Sequence, residues 1–267
     1  MKAWRLILDA ARSGAENMAK DEAVLSSLDS GLTQTPTLRF YSWLQPTISI
    51  GCLQQAGRLV DKGLPVVRRI TGGRAVLHDA ELTYSITGSL EDRTFGGITE
   101  TYLLISRCIV EALNDLSIEA AIAPGRVTRG TPANDDCFHC PSRHEVLVSG
   151  KKLVGSAQRR LKNAFVQHGS ILFDVNKPLY EGVFGPGSSG GVACIRDFSQ
   201  LSADALISAL VKKLGVGLKA KFSPSGLTGS EESMMQGLYR GRYATHEWNS
   251  PALHLKDEAG LSGAPST

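Results

Sequence analysis

The stretch from Val67 to Thr87, VRRITGGRAVLHDAELTYSIT, constrains the fold more than any other part of this chain. Val66 and Val67 read as the end of a buried strand, and the basic pair Arg68-Arg69 follows at once. Gly72-Gly73 then allows backbone angles and a close approach that a side chain would forbid. After that turn, the run from Ala75 to Thr87 mixes apolar and polar residues in a strand-like way and carries His78, Asp79, Glu81 and Tyr84. A Gly-Gly pair beside a strand is by itself an ordinary turn. Its meaning depends on what else the chain brings to it.

Two further segments share its character. GKKLVGSAQRR, Gly150 to Arg160, runs from a Gly-Lys turn into a strand and then a small-residue Gly-Ser-Ala step. VQHGSILFD, Val166 to Asp174, is another polar-to-apolar strand entry with a Gly-Ser step. Around them the periodicity predicts a helix over Ala15 to Leu28 and a clearer one over Thr99 to Leu116, with Tyr102, Ile105, Ile109 and Leu113 on one stripe. Strands are expected at Leu38 to Trp43, Thr47 to Gly51, Pro65 to Ile70, Glu81 to Thr87, Glu145 to Val148, Lys152 to Ala157 and Ser170 to Val175. Ala123 to Asp136 reads as a loop and Gly185 to Gly191 as a flexible link. Helices near Ala203 to Leu214 and Ser230 to Tyr243 close the pattern, and the tail from Asn249 to Thr267 reads as poorly ordered.

A chain of 267 residues that is 42% hydrophobic can bury one large α/β core. It contains no apolar run of about 18 residues, and its start reaches charge too soon for a signal peptide, so a cytoplasmic protein without a membrane segment is expected. Five cysteines without regular spacing suit reduced thiols better than a disulfide framework. A net charge of +3, with Lys and Arg spread along the chain, is no nucleic-acid footprint, although mild positive charge suits the docking of an acidic carrier protein.

The segment CFHCPSRHEV, Cys137 to Val146, decides between chemistries. Cys137 and Cys140, with His139 and His144 nearby, raise a zinc site or a redox pair. Zinc would call for a second ligand pair, and Cys194 with His246 or His254 is too scattered to supply one, so no metal is expected. A redox C-x-x-C belongs at a helix start, whereas this one follows a loop and precedes a strand.

Taken in order, NMAKDEAVL (Asn17 to Leu25), LRFYSWLQPTISIGCLQQ (Leu38 to Gln55), the Arg-Arg-x-Thr-Gly-Gly-x-x-x-x-His run, CFHCPS, GKKLVGSAQ and QHGSIL resemble the lipoate-pathway acyltransferases and ligases, whose catalytic domain is shared with biotin protein ligases. Within that superfamily the chain looks most like the cysteine-dependent octanoyltransferases of the LipM type. The resemblance implies an α/β (α+β) fold with a mixed, largely antiparallel central β-sheet flanked by helices, a single catalytic domain over residues 1–248, and no cofactor. It places Cys137 at the nucleophile position and Lys152 at the matching lysine. Arg69, Gly72, Gly73, His78, Gly155, Ser156, His168 and Gly169 fall where the family binds its acyl substrate.

The chemistry implied is transfer of an octanoyl group from acyl carrier protein, through a thioester on Cys137, to a lysine of an apo lipoyl-domain protein such as glycine-cleavage H protein. A free thiol is only a few per cent thiolate at neutral pH, and Lys152 would favour the anion. A solvated turn lysine is the competing reading of Lys152. A monomer is expected. Two other functions stay open: an ATP-dependent lipoate or octanoate ligase, against which stand Cys137 and Arg74 in place of a third glycine, and a non-catalytic binder of acyl carriers or lipoyl domains.

Overall fold

A computed structural model describes residues 1–123 and 145–249. Cys137, Cys140, most of the loop read from Ala123 to Asp136 and the tail beyond Asn249 lie outside the described residues. In chain order the elements are β1 (Lys2–Leu8), α1 (Gly14–Asp29), β2 (Thr37–Tyr41), β3 (Thr47–Ile50), β4 (Val66–Arg68), β5 (Val76–His78), β6 (Glu81–Ser89), α2 (Ile98–Asp115) and β7 (Ala120–Ile122). They continue with β8 (Val146–Val148), β9 (Lys151–Arg160), β10 (Ala164–Leu172), α3 (Lys177–Phe184), α4 (Ala203–Gly217), β11 (Ala220–Pro224), α5 (Gly229–Leu238) and α6 (His246–Asn249).

Among the described residues, eight strands join in the order β11-β1-β2-β6-β10-β9-β8-β7, and a small sheet has the order β4-β3-β5. β1 runs parallel to both its neighbours, and every other pairing in the large sheet is antiparallel. This is the mixed, largely antiparallel sheet with flanking helices that the sequence led us to expect. One face carries α2 and α4 over a core that includes Trp4, Phe40, Ile86, Ile109, Phe165 and Leu210. The other face carries α1, α5 and the small sheet.

Local chemistry accounts for where the elements start. Ser13 and Glu16 form a reciprocal capping box at the head of α1, satisfying two donors that a helix start leaves open. Asn176 caps α3 by accepting from the Leu179 amide. α1 is not a simple amphipathic helix, because the polar Asn17, Lys20 and Asp21 are buried together with Met18, Ala19 and Leu25. That departure marks the side of the molecule where the pocket lies.

Several expectations need correction. β1, β11 and α3 were not expected; β1 hides in the sequence because Trp4 and Ile7 are buried while its flanks are exposed. The strand expected from Ser170 to Val175 instead spans Ala164–Leu172, and all of it is buried, including Gln167 and His168. Those two polar side chains read as a strand boundary in sequence, yet both are held by hydrogen bonds inside the protein. The Gly185 to Gly191 stretch is an ordered turn, in which Ser188 Oγ donates to the Gly185 carbonyl at 2.7 Å and Ser189 Oγ to Glu181 at 2.6 Å.

Candidate active site

Register brings the site together. Tyr41 lies opposite Thr83, Thr83 opposite Ser170, and Ser170 opposite Gly155, while His168 pairs with Ser85 on one side and Ala157 on the other. Residues directly opposite in an antiparallel ladder share a face, so these side chains form one polar band across four strands. α1 lies over one end of the band with Met18 and Asp21, and the small sheet covers the other with Ser49, Val76 and His78. Between them is a pocket of about 410 Å³, counting its open mouth.

Arg69, Gly73, His78, Gly155, Ser156, His168 and Gly169, all expected from sequence, line this pocket. Gly72 stands just outside it, where its carbonyl accepts from Arg69 Nη2 at 3.0 Å. Arg68 turns away from the pocket: its guanidinium donates to the carbonyls of Gly51, Cys52, Gln54 and Trp248, tying a loop and the C-terminal helix to β4.

Each histidine is fixed by an acid on one nitrogen and faces a hydroxyl with the other. His78 Nδ1 is 2.8 Å from Glu81 Oε1, and its Nε2 is 2.7 Å from Ser49 Oγ. His168 Nδ1 is 3.0 Å from Asp21 Oδ2, and its Nε2 is 2.7 Å from Thr71 Oγ1. A carboxylate only accepts, so each Nδ1 carries a hydrogen, and in a neutral His78 ring Nε2 offers its lone pair to the Ser49 hydroxyl. Trp43 stacks on the His78 ring with centroids 3.7 Å apart and planes 12° apart. Its indole N–H donates to Thr83 Oγ1 at 2.9 Å, which fixes the stack.

The charges behind this band are paired. Asp21 accepts from Arg39 Nη1 at 2.7 Å and from the Tyr41 hydroxyl at 2.9 Å, and Arg39 also donates to Asp9 at 2.6 Å. Burial opposes ionisation of Asp21, but Arg39 and His168 outweigh it and hold the carboxyl below its usual range. For His78 burial wins over the attraction of Glu81, so its pKa lies below that of a free histidine and the ring is neutral at pH 7.

Lys152 is fully buried, at 0% side-chain exposure, and pairs with Glu145, so it is no solvated turn lysine. Val146 pairs with Val154 and Leu147 with Lys152, which makes Leu153 an extra residue in β9. Such a bulge breaks the two-residue alternation. Lys152 itself is not among the residues that line the pocket. Cys137, expected beside it, lies outside the described residues. The three cysteines that are described, Cys52, Cys108 and Cys194, are buried, and burial with Glu111 pushes the Cys108 thiol up to about 11. None of the three lines the pocket.

The Gly72-Gly73 turn is built by contact with a third glycine. Gly73 has φ +94°, and its carbonyl sits so close to Gly51 that a Cβ on Gly51 would lie 2.1 Å from it. Gly72, by contrast, has open space where a Cβ would stand. Glu81, Asp21, Ser49, Thr71 and Trp43 were not assigned to the site from sequence. The i, i+3 spacing of His78 and Glu81 is the one local signal that could have drawn attention to them.

Comparison with known proteins places the chain in a family. Residues 13–215 match the lipoyl protein ligase A/B catalytic domain. Octanoyltransferase LipM of Brevibacillus brevis is 38% identical over 274 residues, covering 93% of this chain and 99% of its own. The chain belongs to the LipM family of octanoyltransferases. A crystal structure of lipoate-protein ligase A bound with ATP superposes with a TM-score of 0.80 at 27% identity, covering 94% of this chain and 100% of that one. A bipartite lipoate protein ligase from Thermoplasma acidophilum, studied with its E2 lipoyl domain, gives 0.78 at 26%, covering 95% and 98%. LipM proteins are acyltransferases, and this chain is one by membership. Among the described residues no helix is long and apolar enough to cross a membrane.

Proposed function

We propose that this LipM-family enzyme moves an octanoyl group from acyl carrier protein to a lysine of a lipoyl-domain protein, with glycine-cleavage H protein as first acceptor, in the cytoplasm. The observation that carries the reading is the full-length likeness to octanoyltransferases. In the first step the Cys137 thiolate attacks the thioester carbonyl and the carrier's thiol leaves. In the second, the acceptor amine attacks the Cys137 thioester, an amide forms, and the Cys137 thiol is released.

The pocket suits an eight-carbon tail. Met18, Tyr41, Trp43 and Val76 give it apolar walls, and burial of the tail at about 0.8 kcal/mol per methylene would supply up to about 5 kcal/mol. Lys152, buried and paired with Glu145, would hold its ammonium near Cys137 and favour the thiolate. The backbone of Gly155-Ser156 or Gly169-Ser170 would stabilise the developing oxyanion.

Intact-mass measurement after mixing the protein with octanoyl carrier protein, without acceptor and without ATP, tests this. An octanoyl adduct should form on the wild type and on Cys140→Ser but not on Cys137→Ser. Efficient acylation from free octanoate and ATP, with the carrier thioester inert, would instead assign ligase chemistry.

A further inference from the structure

Glu81 takes no part in the transfer just described, yet it occupies a demanding position. Its side chain is 0% exposed. One oxygen, Oε1, accepts from His78 Nδ1 at 2.8 Å, from Ser170 Oγ at 2.8 Å and from Thr83 Oγ1. The other, Oε2, is buried without a hydrogen-bond partner among the described residues. An unpaired buried carboxylate oxygen is costly, and an apolar side chain of similar size would spare the fold that cost.

The hydrogen bonds beyond His78 indicate what the residue does. Ser49 Oγ is 2.7 Å from His78 Nε2 and receives Arg69 Nη1 at 2.9 Å. Arg69 Nη2 in turn donates to the carbonyls of Gly72 at 3.0 Å and Arg74 at 2.7 Å, on either side of Gly73 in the pocket wall. Every link donates in one sense, from Arg69 to Ser49 to His78 to Glu81. That direction holds only while His78 carries its hydrogen on Nδ1. Stacking on Trp43 fixes the ring plane, which leaves the tautomer to be set by whatever faces Nδ1.

Ser49, His78 and Glu81 stand in the order of a nucleophile triad. Ser49 is boxed in, however, because Arg69 Nη1 donates both to its hydroxyl and, at 3.0 Å, to its own carbonyl, and the residue is buried within β3. The arrangement therefore serves position and not attack.

We propose that Glu81 is a positioning residue for acyl transfer: by fixing the Nδ1–H tautomer of His78 it aligns Ser49 and Arg69, and so holds the Gly72 to Arg74 turn as one wall of the acyl pocket. The identity of the acyl group rests on the octanoyl reading above; the positioning role does not.

The test uses the full-length protein with ¹⁵N-labelled histidine. Wild type should show His78 as the Nδ1–H tautomer. Glu81→Leu, of similar size, removes the acceptor that faces Nδ1. His78 should then lose that tautomer, amide hydrogen exchange over residues 70–76 should accelerate, and KM for the octanoyl carrier thioester should rise about tenfold, the order expected for one charge-assisted hydrogen bond. The value of kcat should stay within about twofold, because the wall retains substrate and does not enter the chemistry. Ser49→Ala cuts the same line further along: it should raise exchange and KM alike while leaving the His78 tautomer as in wild type. An unchanged tautomer and unchanged exchange in Glu81→Leu would overturn the proposal. So would a fall in kcat at constant KM, which would make Glu81 catalytic. If Glu81→Leu does not fold, Ser49→Ala decides, and wild-type exchange and KM in that variant refute the line. Should wild type transfer no octanoyl group from the carrier thioester, the octanoyl reading fails, while the tautomer and exchange results still decide the role of Glu81.

Discussion

Gly51→Ala is the substitution for which the structure gives the firmest magnitude. A Cβ at Gly51 would stand 2.1 Å from the Gly73 carbonyl oxygen, 3.1 Å from the Gly73 carbonyl carbon and 3.2 Å from that of Gly72. All three are backbone atoms, so no rotamer change relieves the clash. Ordinary contact needs a retreat of the turn by roughly 1 Å or more. Such a retreat takes the bonds from Arg69 to the Gly72 and Arg74 carbonyls, now 3.0 and 2.7 Å, to the edge of hydrogen-bond range or past it. Overpacking of this kind costs about 1–3 kcal/mol, and a weakened charged hydrogen bond adds about 1 kcal/mol or more. We expect a loss of about 2–4 kcal/mol, which for a domain of this size lowers the melting midpoint on the order of 10 °C. Urea titration with a check that the slope is unchanged measures it. Gly72→Ala, which has open space at its Cβ, is the matched control and should stay within about 0.5 kcal/mol of wild type. The reasoning is refuted if Gly51→Ala is as stable as wild type, or if Gly72→Ala is the more damaging of the two.

Two further outcomes follow from buried groups. Lys152→Ala removes the ammonium from a fully buried pair with Glu145, so it should cost about 3 kcal/mol in urea unfolding as well as activity; a loss of activity at wild-type stability would show that the pair contributes nothing to the fold. Burial keeps the folded pKa of His78 below its unfolded value of about 6.5, so in the window just below 6.5 the unfolded chain binds a proton that the folded chain refuses. Stability from this group is therefore complete above about pH 6.5 and declines as pH falls toward the folded pKa, and urea midpoints across that window should fall less steeply in His78→Gln than in wild type.

The parts of the site that were legible in sequence are those set by short-range chemistry. Glycine pairs, a basic pair after a strand and a histidine before a strand point to a turn and its neighbours, and Arg69, Gly73, His78, His168 and Gly169 do converge on one pocket. What was not legible depends on register and on distant partners. Gly51 matters only because β3 brings it against Gly73, and Ser49 and Thr71 matter only because two histidines reach them from other strands. The start of β10 falls earlier than its sequence suggests for a similar reason: Gln167 and His168 read as a strand boundary until Gln158 and Asp21 are seen to satisfy them. Lys152 lies on a strand as its sequence context indicates, but its burial against Glu145, across the Ser149-Gly150 turn, leaves no compositional trace.

β1 and β11 have a consequence for how the protein is made. Residues 2–6 pair with residues 220–224, and Arg5 reaches Glu231 through two hydrogen bonds, so β1 leaves the ribosome more than 200 residues before its partner β11. At about 5–20 residues per second, that interval is on the order of 10 to 45 seconds. During it β1 can pair with β2 on one side only, and its other edge, with Trp4 close by, stays open to neighbouring chains. The period of greatest exposure to aggregation should therefore fall in synthesis and end when residues 220–231 emerge, and a nascent chain stalled before that point should need a chaperone that one stalled after it does not.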